Sequence, residues 1–332
     1  MKKYTILFTI LLNAVCCVGI VAQNAYDDMM KRGVDPLTGE ILMADPTIFF
    51  SDGFYYMSGT DDKGGADAFL LFRSNDLKLW EQVGTALKKG DHTFGKWGFW
   101  APQFYPFDNK WWILYTADEH IAIAEAESLS TPFMQKSIEP VDNSCNNIDP
   151  FLFKDDDGKF YIYHVRINHG NFLWVAEFDM MTRKIKNETL TKCFDLSQNW
   201  ENIENSSYPV MEGPTVIKYK SKYYLFYSTN DFRSQNYAVG YAVADSPFGP
   251  WRKAEHNPII NKDIVGECGP GHGDVFVDNN GRLFYVFHVH YNDGKPVPRR
   301  TRIIPLIIDG FDQDDNAIFK VDMENIIIPL CK

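Results

Sequence analysis

One motif recurs five times along this chain of 332 residues. Each copy begins at a short Pro- or Gly-containing start, runs through β-branched and aromatic residues, and turns at Asp, Asn or Gly into a second aromatic run. The starts are Asp45-Pro46, Ala101-Pro102, Asp149-Pro150, Gly213-Pro214 and Gly273-Asp274, at intervals of 56, 48, 64 and 60 residues. Self-similarity at such a period is typical of repeat architectures. It constrains the fold more than any other feature of the sequence.

Each copy predicts a β-hairpin, because two partly alternating runs flank a turn residue. In the first copy, the turn Ser51-Asp52-Gly53 leads into Phe54-Tyr55-Tyr56. Further strand-like segments follow several hairpins, such as residues 121–126 and 240–245. A four-stranded blade needs roughly 50 residues, close to these intervals. We therefore predict an all-β protein, a five-bladed β-propeller that forms a single domain over residues 23–332.

The first 22 residues have a different pattern. A basic start, a long apolar run and the small residue Ala22 predict a secretory signal peptide over residues 1–22, with export to the periplasm or the extracellular space. The apolar run is short for a bilayer span of about 20 residues, so we expect no membrane-spanning segment. Lipoprotein anchoring through Cys16 or Cys17 is a less favoured alternative, because Val15 is bulky for that signal.

Charge and cysteine content exclude several classes of function. Acidic residues outnumber basic ones by 44 to 33, and the formal net charge is −11. Because binding to nucleic acids needs clustered cations, we expect no nucleic-acid partner. The four cysteines that follow the predicted signal peptide contain no CxxC pair, which argues against zinc and thiol-redox sites. We expect a monomer.

Three of the five starts carry a carboxylic acid: Asp45, Asp149 and, one position earlier, Glu212. The innermost strands of a propeller line its central channel, so these acids are expected to meet at one end. Glycoside hydrolysis needs one acid to protonate the leaving oxygen and one carboxylate to activate water, and a third acid can raise the donor's pKa. One Asp-Pro alone is more simply a strand entry. Three acids in register favour a glycosidase that acts on an oligo- or polysaccharide.

The ordered set of starts, together with the Trp100 and Glu212 that precede two of them, resembles glycoside hydrolase family 43 from about Gly39 to Ile308. The resemblance implies a propeller that hydrolyses glycosides with inversion, in which Asp45 is the general base and Glu212 the general acid. Asp149 is then the residue that raises the pKa of the acid and orients it. The implied substrates are α-L-arabinofuranosyl or β-D-xylosyl linkages in plant cell-wall polysaccharide, as in xylan degradation.

Other functions stay open on the sequence alone. A β-1,3-galactan exo-hydrolase and an endo-arabinanase are alternatives within the same family, because the loops that shape the site cannot be read from the pattern. A non-catalytic carbohydrate-binding propeller is a third alternative, although a pure binding protein has no need for three acids in register.

Three further residues are candidates for the site. His272 lies in the fifth start, where the resemblance implies a histidine that points into the channel and helps to hold a central calcium ion or a water cluster near the catalytic Asp. We also expect His272 to contact the substrate. This Ca²⁺ is a possible structural ion, and the chemistry itself requires no cofactor. Trp100 is predicted to border the sugar ring, with a packing role as the alternative. Arg300, within Pro298-Arg299-Arg300-Thr301, is predicted to reach substrate hydroxyls, with surface charge as the alternative.

Overall fold

The computed structural model describes residues 23–62 and 66–332, so the predicted signal peptide lies outside the described residues. Within the described residues the main sheets are five, each an antiparallel meander whose strands follow chain order. This arrangement confirms the predicted all-β, five-bladed β-propeller. The innermost strands of blades one to five are Ala44–Ser51, Trp100–Phe107, Asn147–Lys154, Met211–Tyr219 and Gly271–Val277.

The remaining strands complete each blade outward. The second strands are Phe54–Thr60, Lys110–Ala117, Phe160–Ile167, Lys222–Thr229 and Leu283–Val289. The third strands are Ala68–Ser74, His120–Ala126, Asn171–Asp179, Ala238–Ala244 and Arg300–Phe311. The outer strands are Leu79–Lys88 in blade one, Lys184–Ile185 and Thr191–Lys192 in blade three, Arg252–Lys253 in blade four and Ala317–Val321 in blade five.

The C-terminal end of the described chain closes the ring. Leu330–Cys331 pairs in parallel with the outer strand of blade one, although it follows blade five in the chain. Residues 23–31 are helical, and the short helix Lys262–Val265 lies between blades four and five. Short 3₁₀ turns are Asn187–Thr189, Asn199–Asn202 and Met323–Asn325. No helix within residues 23–62 and 66–332 is long and apolar enough to cross a membrane.

The apolar residues form five separate clusters, one at each junction between neighbouring blades. At the junction of blades four and five, for example, Tyr224 and Phe226 pack against Tyr285 and Phe319. Blade faces are wide and flat, and aromatic rings bury the largest area per residue. Packing between blades therefore explains why 15% of the chain is aromatic.

The start of every inner strand has the same unusual backbone. One residue there has a positive φ: 47° at Asp45, 45° at Ala101, 55° at Asp149, 61° at Gly213 and 35° at His272. The pairing with the second strand shifts register at each of these points. Bulges of this kind redirect a side chain, and residues other than glycine rarely adopt positive φ. The repeated bulge therefore places one residue of each blade at the mouth of the channel.

This geometry corrects the sequence register in blade five. The residue equivalent to Asp45 and Gly213 is His272, whereas the sequence pattern placed Gly273 there. The last interval is therefore one residue shorter than predicted. The earlier blades have Pro after the strained residue, but blade five has Gly273, whose added Cβ would lie 1.7 Å from the carbonyl oxygen of Val286. At this start the backbones of the first and second strands approach so closely that only glycine fits, whereas the other four starts have proline.

A hydrogen bond to the strained residue links each blade to the one before it. The backbone N–H groups of Ala101, Asp149, His272 and Asp45 donate, in that order, to side chains of Thr60, Thr116, Ser228 and His288. Each acceptor lies near the end of a second strand. In blade three the equivalent residue is Val165, which has no acceptor atom. There the N–H of Gly213 donates to Asp149 Oδ2 at 3.2 Å instead.

Candidate active site

The starts of the inner strands open into a cavity of about 360 Å³ at one end of the channel. The three acids predicted from the repeat, Asp45, Asp149 and Glu212, all line it, as do Trp100 and His272. All three acids are almost fully buried. The fold thus brings together five of the six predicted site residues; their roles stay predictions.

Asp45 is surrounded by a guanidinium, a hydroxyl and two imidazole rings. Arg299 Nη1 donates to its Oδ1 at 2.8 Å, and Thr60 Oγ1 donates to its Oδ2 at 2.7 Å. The Nδ1 atoms of His272 and His288 lie 3.4 and 3.3 Å from Oδ1. Burial raises the pKa of Asp45, but the charge of Arg299, together with the contacts to the two imidazole rings, outweighs burial and holds the pKa well below its usual value. Asp45 is therefore a carboxylate at neutral pH.

The two histidines beside Asp45 are neutral at physiological pH. Burial, with the charge of Arg299, lowers the pKa of His288 to about 3. Burial is also the largest cause of the lowered pKa of His272. The His288 ring stacks on Tyr237, with the ring planes 8° apart. Arg299 is consequently the fixed positive charge that balances the Asp45 carboxylate.

Glu212 has only neutral hydrogen-bond partners. Tyr237 OH donates to its Oε1 at 2.7 Å, and Asn171 Nδ2 donates to its Oε2 at 3.2 Å. Burial, helped by the charge of Asp45, raises the pKa of Glu212 to about 7, against the lowering effect of these two donors. A large fraction of Glu212 therefore keeps its proton near neutral pH.

Asp149 interacts electrostatically with both of the other acids. Its Oδ2 accepts from Gly213 N–H at 3.2 Å and lies 3.8 Å from His272 Nδ1. Burial is the largest cause of a pKa held well above its usual value, followed by the nearby Glu212 and Asp45. Among the described residues, no Lys or Arg forms an ion pair with Asp149 or Glu212. Burial therefore raises the pKa of both Asp149 and Glu212, whereas the pKa of Asp45 is lowered.

The remaining two predicted residues lie in different places. Trp100 borders the cavity and packs edge-to-face on Trp97, with ring centroids 5.5 Å apart. Arg300 does not line the cavity: it binds Glu267 at 3.0 Å and the carbonyl of His290 at 3.3 Å. Its neighbour Arg299 lines the cavity instead. Adjacent residues in extended backbone point to opposite sides, which separates the two guanidinium groups.

Several residues around the acids were not identified from the sequence. Asp62, Asn171 and Arg299 line the cavity, and Tyr237 binds Glu212 from behind the lining. Three of them share a location, because Asn171 begins a third strand and Tyr237 and Arg299 immediately precede one. In a meander the first and third strands run in the same direction, so their starts lie at the same end of the blade. The starts of the third strands were therefore the signal that could have found these residues.

Asp62 holds the cavity arginine in place. Its two oxygens accept from Arg299 Nε at 2.8 Å and from Arg299 Nη2 at 2.9 Å. Arg299 also lies over the ring of Phe232, 4.4 Å from its centroid. A guanidinium fixed on three sides presents its remaining N–H groups in a defined direction.

The acidic and histidine side chains that the structure describes around His272 do not by themselves form a calcium site. Ca²⁺ takes six to eight oxygen ligands. In the parts of the chain that the structure describes, no group of three or more His, Cys, Asp or Glu side chains could hold a metal ion. The His272 imidazole faces Asp45 and Asp149 rather than a ring of oxygens. We therefore assign no step of the chemistry to a metal.

Comparisons with known proteins find a matching family model and several similar proteins. The family model described as glycosyl hydrolases family 43 matches residues 38–310. A crystal structure of an endo-1,4-β-xylanase from Bacteroides thetaiotaomicron VPI-5482 has 35% sequence identity and a TM-score of 0.81, covering 89% of this chain and 98% of that one.

Two curated relatives are more distant. A β-xylosidase of Xylanibacter ruminicola is 25% identical and covers 74% of this chain and 86% of its own length. An extracellular exo-α-(1→5)-L-arabinofuranosidase of Streptomyces avermitilis is 25% identical over 78% of this chain and 58% of its own.

Proposed function

The chain belongs to glycosyl hydrolase family 43, and from this premise we propose that it is an exported enzyme that releases α-L-arabinofuranosyl or β-D-xylosyl units from plant cell-wall polysaccharide. One observation carries the proposal: a single cavity holds Asp45, which is paired with Arg299, and Glu212, whose hydrogen-bond partners are neutral. These surroundings lower the pKa of Asp45 and raise the pKa of Glu212. Two carboxyl groups with opposite protonation are what glycoside hydrolysis requires.

In the proposed reaction, Asp45 takes a proton from a water molecule as the water oxygen bonds to the anomeric carbon. The bond from that carbon to the glycosidic oxygen breaks, and Glu212 gives its proton to the departing oxygen. Attack from the face opposite the leaving group inverts the anomeric configuration. Asp149 holds the N–H of Gly213, the residue after Glu212, and thereby positions the acid.

The choice of a pentose is supported by the relatives, two of which are described as a β-xylosidase and an arabinofuranosidase. In the cavity, Trp100 offers an apolar ring for the sugar and Arg299 offers N–H donors to its hydroxyls. Export is supported by the basic and apolar pattern of residues 1–22. Endo-action on xylan is a second candidate, favoured by the 35% identical structure described as an endo-1,4-β-xylanase.

Product analysis tests the proposal. We expect the purified protein to release arabinose or xylose from arabinan or arabinoxylan, and NMR to show the inverted anomer first. Asp45→Asn and Glu212→Gln serve as inactive controls. Turnover that is the same in the wild type and both variants, or a retained anomer, would contradict the proposed mechanism. Internal cleavage products without free pentose would favour the endo-acting candidate.

A further inference from the structure

A second cavity, of about 640 Å³, continues from the catalytic cavity over blade four. The two cavities share Tyr208, Val210, Asp231 and Arg233, so together they form one cleft. The second part, which we call the blade-four groove, lies between the segment 202–210 and the loop 230–236. It is larger than the catalytic cavity, and the proposed reaction does not use it.

The walls of the blade-four groove are tied together. The buried Asn230 donates from Nδ2 to the carbonyls of Trp200 at 2.9 Å and Asn236 at 3.0 Å, and it accepts from the N–H of Ile203 at 3.0 Å. Glu204 accepts from the hydroxyl of Ser234 on the opposite wall. Because both walls are held before any ligand arrives, binding costs little ordering entropy.

Tyr208 connects the groove to the general acid. Its hydroxyl donates to Asn171 Oδ1 at 3.2 Å, and the same amide donates to Glu212 Oε2 at 3.2 Å. The residue is nonetheless 45% exposed. An aromatic side chain with its hydroxyl held and its ring in part exposed is a suitable surface for a sugar to pack against.

Arg233 and Asp231 indicate what kind of sugar the groove accepts. Arg233 Nε donates to Asp231 Oδ1 at 2.7 Å, and the arginine is still 69% exposed. Since Asp231 already balances this cation, and Glu204 adds a further negative charge, a uronic acid would meet no free positive charge here. The pair still offers donors and acceptors to neutral hydroxyl groups.

We propose that the blade-four groove binds the leaving-group end of the substrate, a neutral oligosaccharide of one or more sugar units. The inference rests on the proposed function, because Glu212 must protonate the oxygen between the cleaved sugar and the departing chain. The departing chain then lies on the Glu212 side of the cavity, where Tyr208 begins the groove.

Binding measured against chain length tests this. Isothermal titration calorimetry would use Glu212→Gln protein with β-1,4-xylo-oligosaccharides and α-1,5-arabino-oligosaccharides of two to four units. We expect the affinity for the accepted series to rise about tenfold from the disaccharide to the tetrasaccharide, as added groove contacts imply. Adding Tyr208→Ala or Arg233→Ala reduces that rise to less than about threefold.

Arg282→Ala in the same background is the matched control. Arg282 is 67% exposed and also pairs with a nearby aspartate, Asp278, but it lies in the hairpin turn of blade five and lines neither cavity. We expect it to keep the full rise with chain length. An equal rise in the Tyr208, Arg233 and Arg282 variants would overturn the groove assignment.

Measuring turnover by the wild type distinguishes a failure of the groove assignment from a failure of the proposed function. If the wild type hydrolyses pentosides but the groove variants keep the full length dependence, only the groove assignment fails. If the wild type neither binds nor hydrolyses any of these oligosaccharides, both proposals fail.

Discussion

The two walls of the catalytic cavity carry acids at equivalent ends of inner strands, yet their surroundings are opposite. Asp45 has one arginine and two histidines around it. Glu212 is held by a phenol and an amide, both neutral. The strand start therefore does not assign the role of an acid. The neighbours do, because they decide which carboxyl loses its proton near neutral pH.

Three of these neighbours lie at the starts of third strands and not in the repeated motif. Blade five supplies Arg299 to the Asp45 wall, whereas blades three and four supply Asn171 and Tyr237 to the Glu212 wall. Replacing any of these three residues should therefore change the difference in pKa between Asp45 and Glu212.

The largest effects are expected from the acids themselves. Asp45→Asn should lower kcat by about 10³-fold or more for every substrate, since the base is needed whatever the leaving group. Glu212→Gln should lower kcat comparably on oligosaccharides but far less on a 2,4-dinitrophenyl pentoside, whose leaving group needs no proton. Steady-state kinetics on both substrates measures this. Equal losses of both variants on the activated substrate would contradict the assignment of roles.

Loss of the cavity arginine should have the next largest effect. Arg299→Gln removes the charge that offsets the burial of Asp45, so the pKa of Asp45 should rise. We expect kcat/KM to fall about 10²-fold and its acidic limb to move to higher pH. Arg300→Gln is the adjacent control, because Arg300 lies outside the cavity. A larger loss of activity in the Arg300 variant would reverse the assignment.

Tyr237→Phe should have a moderate effect on the other wall. The Tyr237 hydroxyl lowers the pKa of Glu212, so without it the pKa should rise further above about 7. The basic limb of the kcat/KM profile should move up by roughly one pH unit, with a loss in rate of about tenfold at most. A basic limb that stays in place would show that Glu212 does not set it.

The smallest expected effect is on stability. A pKa raised to about 7 in the folded state means that the folded protein binds more protons than the unfolded chain between that pH and the usual carboxyl pKa. Stability from this group therefore falls as pH rises through that window. Glu212→Gln removes the penalty and should stabilise the protein at pH 8 by on the order of 1–3 kcal/mol, but not at pH 4. Urea unfolding at both pH values measures the difference.

The fold could be predicted because the repeat is local: each hairpin has its own turn and its own start. Blade five was misplaced by one residue because Gly271-His272-Gly273 lacks the proline that marks the other four starts. The same register allowed the three acids to be predicted. The register could not predict Arg299, Asn171 and Tyr237, because no motif marks the start of a third strand. Neighbouring residues of an extended strand point to opposite sides, so an error of one residue in the register decides whether Arg299 or Arg300 is predicted to face the cavity.

The most direct test of the account is the protonation of the two acids in the free enzyme. ¹³C NMR of carboxyl-labelled Asp and Glu, assigned with Asp45→Asn and Glu212→Gln, would follow both groups between pH 4 and 9. We predict that Asp45 stays ionised throughout and that Glu212 titrates near pH 7. A Glu212 already ionised at pH 5, or an Asp45 that titrates near neutrality, would contradict the account.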